Sequence, residues 1–173
     1  MKLEGPDATL AAPMANIFEP EWTFEGDQPP WLGRGARVGA QSGAERLGAT
    51  LYEIAPGGRA SPLHVHHANE ELIIVLSGEP TLRTPEGTRE LEPGEVVACP
   101  LGRRGAHRIE NNNTRPVRVL IVSTMVFPDV VEHLDSQKIL VLTAHPDRAA
   151  TEDLLLAFRR DDAVPPSSGE TER

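Results

Sequence analysis

The chain has 173 residues, with 17 basic and 26 acidic side chains, a formal charge of −9 and one cysteine, Cys99. That length suits one domain with a sizeable core, and the acidic balance works against a phosphate-binding surface, so nucleic acid is not an expected partner. A single cysteine excludes an intrachain disulfide and cysteine-rich zinc sites, and the longest aliphatic run, LIIVL at 72–76, is far short of the roughly 20 apolar residues that span a bilayer.

Taken in chain order, the N-terminus MKLEGPDATLAAPMANIF mixes Lys2 with Glu4 and Asp7 and builds no apolar signal region. A cytoplasmic location is expected on that ground. Residues 1–35 carry Phe18, Trp22, Phe24 and Trp31 among prolines and acids, and read as an extended arm whose aromatics pack on the domain. Across the chain, 16 prolines and 15 glycines separate short segments rich in Val, Ile, Leu and Thr, which is the punctuation of an all-β domain. Strands are expected near 48–54, 62–67, 71–77, 80–84, 88–92, 95–99, 106–111 and 117–126. Thr84-Pro85-Glu86-Gly87 reads as a hairpin turn, because Pro presets φ at the first central position and Gly tolerates positive φ. In ELIIVLS, Glu71, Ile73 and Val75 share one face, while Leu72, Ile74 and Leu76 share the other. Both faces are apolar, so both need cover. Leu154, Leu155, Leu156 and Phe158 belong to a strand or a short helix, which so short a run does not decide, and the tail PPSSGETER is expected to be disordered.

The densest chemistry lies in HVHHANEE at 64–71. His64 and His66, at i and i+2, share one face of a strand and can offer two imidazoles to one ion. Glu71 follows five residues after His66, which leaves room for a tight turn that returns a carboxylate beside them. A solvated polar turn remains the plain alternative until a further ligand is found.

The spacing Gly58, five residues, His64, one, His66, four, Glu71, six, Gly78 resembles the first motif of the cupins in full. Gly94, five residues, Pro100, one, Gly102, four, His107, three, Asn111 resembles the second, with four residues between Gly102 and His107 where the family usually has two. An even insertion can be absorbed in the loop without changing strand parity. Arg108 and Glu110 alternate with Ile109, which supports an inward-facing His107.

The resemblance implies an all-β, double-stranded β-helix (jelly-roll barrel) at 36–128, preceded by the 1–35 arm and followed by a short C-terminal extension at 129–173. It further implies one divalent transition metal per subunit, Fe, Mn, Ni, Zn or Cu, held by His64, His66, Glu71 and His107, a donor set that suits such ions. Glu71 is preferred over Glu70 because it alone keeps the six-residue spacing to Gly78. His67 points away from His66, His133 and His145 have no partner pattern, and Cys99 reads as a small buried side chain. Arg103, Arg104 and Asn111 are the candidate substrate-binding residues, the arginines because a guanidinium fork matches a carboxylate. The catalytic residues stay unassigned.

The function expected is a metal-dependent, dioxygenase-like enzyme acting on a small organic molecule. The alternatives are a non-catalytic small-ligand or metal-binding cupin and a metal-dependent isomerase or epimerase. The apolar outer face of 72–76 leads to the expectation of a homodimer.

Overall fold

The computed structural model describes residues 13–146 and 150–170. In chain order the elements are β1 (Phe24–Gln28), β2 (Trp31–Ala36), the short helix α1 (Val38–Gln41), β3 (Leu47–Ile54), β4 (His64–His66), β5 (Glu71–Ser77), β6 (Thr81–Thr84), β7 (Gly87–Glu90), β8 (Val96–Cys99), β9 (Arg108–Glu110), β10 (Val117–Thr124), β11 (Asp129–His133), β12 (Lys138–Leu142) and β13 (Leu155–Arg159). Six strands form one sheet in the order β1-β2-β3-β10-β5-β8. The second side consists of β13-β12-β11-β4 and β7-β6-β9. A reciprocal backbone pair joins these two pieces: His64 N–H donates to His107 O and His107 N–H to His64 O, both at 3.1 Å. The result is a mostly-β jelly roll of the double-stranded β-helix type, as the motifs imply.

The core lies between the two sides. Ile73 and Val75 on β5, Val117 and Val119 on β10, Ile109 on β9 and Leu91 are at most 1% exposed. Burying each such side chain stabilises the fold by roughly 1.5–3 kcal/mol. The alternation in β5 follows the expected parity: Ile73 and Val75 are buried, while Leu72 faces outward and is 40% exposed. At the 84–87 turn, Thr84 pairs with Gly87, and the Thr84 hydroxyl accepts from Glu86 N–H at 3.2 Å.

The segment read as an extended arm supplies two strands. β1 and β2 pair as a hairpin and extend the large sheet beside β3. FEGDQ and WLGRGA lack an apolar alternation, so only the neighbouring strand reveals them. Residues 1–12 of that segment lie outside the described residues. Ala15, Ile17 and Trp22 pack with Ala36, Val38 and Leu51 against Leu76 and Leu120, and so cover part of the outer face of the large sheet.

The C-terminal extension is also built of strands: β11, β12 and β13 carry the second side outward from β4. In the undecided run, Leu155–Arg159 is a strand that Leu154 precedes, with a 3₁₀ turn at Arg160–Asp162 after it. Residues 165–170 are exposed, and 171–173 of the tail lie outside the described residues. Among the described residues, no helix is long and apolar enough to cross a membrane.

Candidate metal centre

Three imidazoles reach the interior from the second side and one carboxylate reaches it from the first. β4 presents His64 and His66, whose ring centroids are 4.9 Å apart. The backbone pair between His64 and His107 sets those two side chains next to each other, with ring centroids at 4.5 Å. Glu71, the first residue of β5, faces them across the interior. Its Oε2 lies 3.7 Å from His64 Nε2, 3.9 Å from His66 Nε2 and 3.1 Å from His107 Nε2. Ligand atoms of His64, His66 and Glu71 fall within 4.8 Å of one another.

The outer nitrogens of the three rings decide what the inner ones can do. His64 Nδ1 donates to Pro62 O at 3.0 Å, His66 Nδ1 to Asp129 Oδ2 at 2.6 Å and His107 Nδ1 to Gly105 O at 2.8 Å. Carbonyl and carboxylate oxygens only accept, so each Nδ1 carries the proton, and a neutral ring then presents Nε2 as a lone pair toward Glu71. Such outer hydrogen bonds typically orient metal-binding histidines. Glu71 Oε2 is buried, with the three inner imidazole nitrogens as its polar neighbours. A buried carboxylate oxygen ringed by three imidazole nitrogens fits a cation once His107 gives up its inner proton, so the donor set suits a divalent transition metal.

The charges follow the packing. Burial lowers the His64 imidazole, and the neighbouring His107 and His66 add to that against the pull of Glu71. Burial opposes ionisation of Glu71, but hydrogen bonding and charge from His107 and His64 outweigh it and hold the carboxyl well below its usual range. Burial also pulls His107 down, yet contacts with Cys99 and Glu71 prevail and push it up to about 10.

The two-residue excess before His107 is absorbed as a 3₁₀ turn at Arg103–Gly105. Gly105 is required there, because a Cβ would meet Pro100 O at 1.7 Å. Its carbonyl is also the acceptor that orients His107.

The four residues open onto a cavity of about 470 Å³. Tyr52, Ser61, Asn69, Asp129, Arg37 and His145 also line it, together with Ile121, Met125 and Phe127. Arg103 and Arg104 do not line it: both are exposed, and Arg103 reaches Glu132 at 3.7 Å. Asn111 is fully buried but outside the lining; its amide donates to Ile54 O at 2.9 Å and Arg115 O at 2.8 Å, and its carbonyl accepts from Asn113 N–H. Those bonds make it a clasp between β3 and the 111–115 turn. His67 bonds Glu132 at 2.7 Å on the exposed side.

Several site residues had no sequence pattern to announce them. Asp129 accepts from His66, from the backbone N–H of His67 and Ala68 and from the Asn69 amide, across a sequence gap of 60 residues or more. Tyr52 had a usable signal, since in GATLYEI it shares the inward face with Thr50 and Ile54. Arg37 and His145 had none.

Residues 50–123 match the family model described as Cupin domain. Among solved structures, the chain is similar to a protein from Acidithiobacillus ferrooxidans described as a candidate sugar phosphate isomerase. The identity is 28% and the TM-score 0.63, covering 69% of this chain and 76% of that one. It is also similar to a cupin-superfamily sugar phosphate isomerase from Silicibacter pomeroyi, at 22% identity and TM-score 0.72, covering 87% and 95%. A third similar structure is the polyketide cyclase RemF from Streptomyces resistomycificus, at 25% identity and TM-score 0.51, covering 64% and 77%. No curated protein matches the chain. The paired motifs, the jelly-roll strand order and the matched segment agree that residues 50–123 form a cupin domain.

Proposed function

We propose that this cupin is a metal-dependent enzyme that moves a proton within a small hydroxy-carbonyl compound, an isomerase-type reaction. The observation that carries the proposal is the convergence of three imidazole Nε2 atoms on the buried Glu71 Oε2 at a 470 Å³ cavity that also holds proton-carrying side chains. His64, His66, Glu71 and His107 would hold the ion. A bound divalent metal would supply Lewis acidity to a carbonyl or hydroxyl oxygen. Tyr52, which lines the cavity, is pushed up to about 12 by burial and by the charge of Glu71, against the pull of Arg37, so its hydroxyl stays protonated and can serve as a donor. The His145 imidazole, which also lines the cavity, is suited to take a proton from carbon and return it to the adjacent one. Similarity to the Acidithiobacillus protein, 28% identical over 69% of this chain, supports the same direction.

The dioxygenase-like reading uses the same four ligands but needs O₂ and no acid or base. The metal-loaded protein is offered dihydroxyacetone and dihydroxyacetone phosphate in D₂O, with deuterium incorporation followed by NMR and O₂ by electrode. Deuterium is expected at carbon without O₂ uptake, and Tyr52→Phe is expected to lower that rate by about 10²-fold or more at unchanged metal content. O₂ consumption matching product would replace the isomerase with the oxygenase. Binding without either signal would favour a ligand-binding module.

The proposed assembly is a homodimer through the outer face of the large sheet. Ala15, Ile17 and Trp22 cover one part of that face, while Leu72 remains 40% and Val96 58% exposed on the adjacent strands β5 and β8. Light scattering at micromolar concentration is expected to give twice the chain mass, and Val96→Glu to give the monomer. A monomeric wild type would end this assignment.

A further inference from the structure

The metal ligands account for one group of cavity residues; Arg37 belongs to another. Among the described residues that line the cavity, Arg37 is the one guanidinium. It follows β2 and precedes α1, where its backbone N–H donates to the Thr23 hydroxyl at 3.2 Å and its carbonyl accepts from Gln41 N–H at 3.0 Å. Its guanidinium carbon stands 5.5 Å from the Phe24 ring centre. Phe24 in turn meets Tyr52 edge to face, with centroids at 5.9 Å. Gly35 leaves the room that the Phe24 ring occupies, since a Cβ there would meet Phe24 Cζ at 2.0 Å. The β1-β2 hairpin thus brings a cation and its aromatic support to the same cavity that β4, β5 and the loop before β9 supply with metal-binding groups. The Arg37 charge is felt at the Tyr52 hydroxyl, as is that of Glu71.

A chain of net charge −9 does not attract anions by its overall field. A guanidinium placed in its cavity is therefore a local device, and guanidinium forks match phosphate and carboxylate oxygens. We infer that Arg37 is the specificity-determining residue of the cavity, and that its ligand carries an anionic phosphate or carboxylate group for Arg37 besides the oxygens that face the histidine cluster. This assigns to Arg37 the clamp expected of Arg103 and Arg104, and it rests on the reading of the cavity as the ligand site.

Calorimetric titration compares dihydroxyacetone with two anionic relatives, dihydroxyacetone phosphate and hydroxypyruvate, on wild type, Arg37→Gln and Arg37→Lys, each metal-free and metal-loaded. In wild type at least one anionic compound is expected to bind about tenfold tighter than the neutral one, the scale of a hydrogen-bonded charge pair. Arg37→Gln is expected to abolish that advantage and to leave the neutral compound unchanged, while Arg37→Lys keeps part of it, having the charge without the fork. An advantage for the phosphate alone identifies a phosphate ester as the ligand class, and one for hydroxypyruvate alone identifies a carboxylate. An anion preference that survives in Arg37→Gln, or that wild type lacks in both metal states, overturns the inference. If Arg37→Gln does not fold, unchanged anion affinity in Arg37→Lys overturns it equally. The metal-free titration separates the two proposals. Loss of the preference in a chain that takes up no metal sinks the metal-dependent reading alone, and normal loading with an Arg37-independent preference sinks this one alone.

Discussion

Replacing His64 or His107 by alanine is expected to lower metal content from about one ion per chain to under a tenth of that, with His67→Ala close to wild type. The difference follows from where the lone pairs point. His64 and His107 each bind their Nδ1 proton to a backbone carbonyl and turn Nε2 toward Glu71, whereas His67 is tied to Glu132 at 2.7 Å on the exposed side. Glu71→Gln is expected to behave like the two alanine variants, because the amide removes the buried negative charge that the ion would neutralise. Metal uptake should also release a proton. His107 is held up to about 10 beside Glu71, so at neutral pH its ring must give up a proton to serve as ligand, and loading should weaken as pH falls. Elemental analysis of the purified variants and a pH-indicator titration read both effects. Equal loading in the His64, His107 and His67 variants would remove the first two from the site.

The second large effect is expected at Asp129, which is outside the candidate ligand set. Its carboxylate is 1% exposed and accepts from His66 Nδ1 at 2.6 Å, Ala68 N–H at 2.9 Å, Asn69 Nδ2 at 2.9 Å and His67 N–H at 3.2 Å. It holds together the turn between β4 and β5, and with it the spacing between the two histidines and Glu71. Asp129→Ala leaves these donors without their acceptor in a buried place, at a cost of about 3 kcal/mol, or roughly 6–12 °C in Tm for a chain of this size. Asp129→Asn should preserve more stability but place an amide where His66 needs a carboxylate, and weaken metal binding by about 10- to 100-fold. Burial alone would raise the Asp129 carboxyl; the bonds from His66, Asn69 and Ala68 outweigh it and hold the group below its ordinary value. Its contribution to stability is therefore present at neutral pH and is lost as pH falls through the folded-state value. Thermal melts and metal titrations of both variants test this. A Tm and metal affinity equal to wild type in Asp129→Ala would mean that the turn is held by other bonds.

The strands at the centre of the chain were legible because their pattern is local. β5 occupies Glu71–Ser77, as its alternation and flanking turn residues indicate, and β10 runs from Val117 to Thr124 within the expected 117–126. The same periodicity marked Ile73, Val75 and Ile109 as interior, and the structure buries all three. The strands at both ends were not legible. β1 and β2 contain glycine, acids and one arginine, and pair because β3 offers them an edge, while β13 is exposed along its whole length and is held by its register with β12.

By itself, the sequence determined the spacing that groups His64, His66 and Glu71, because two imidazoles at i and i+2 and a carboxylate after a tight turn are short-range facts of strand geometry, while His107 was pointed to only by the resemblance to the second cupin motif. Only the tertiary structure decided what surrounds them. Asp129 reaches His66 across 63 positions, and Arg37 and Tyr52 meet the cavity from the end of β2 and from β3. It also turned Arg103 and Arg104 away from that cavity and set Asn111 as a clasp, since a 3₁₀ turn fixes the exposure of the first two and three backbone partners occupy the third. The physical reason is the range of the interactions: periodicity and turn chemistry act over a few residues, while hydrogen bonds and cavity walls are set by strand pairing between segments far apart in the chain.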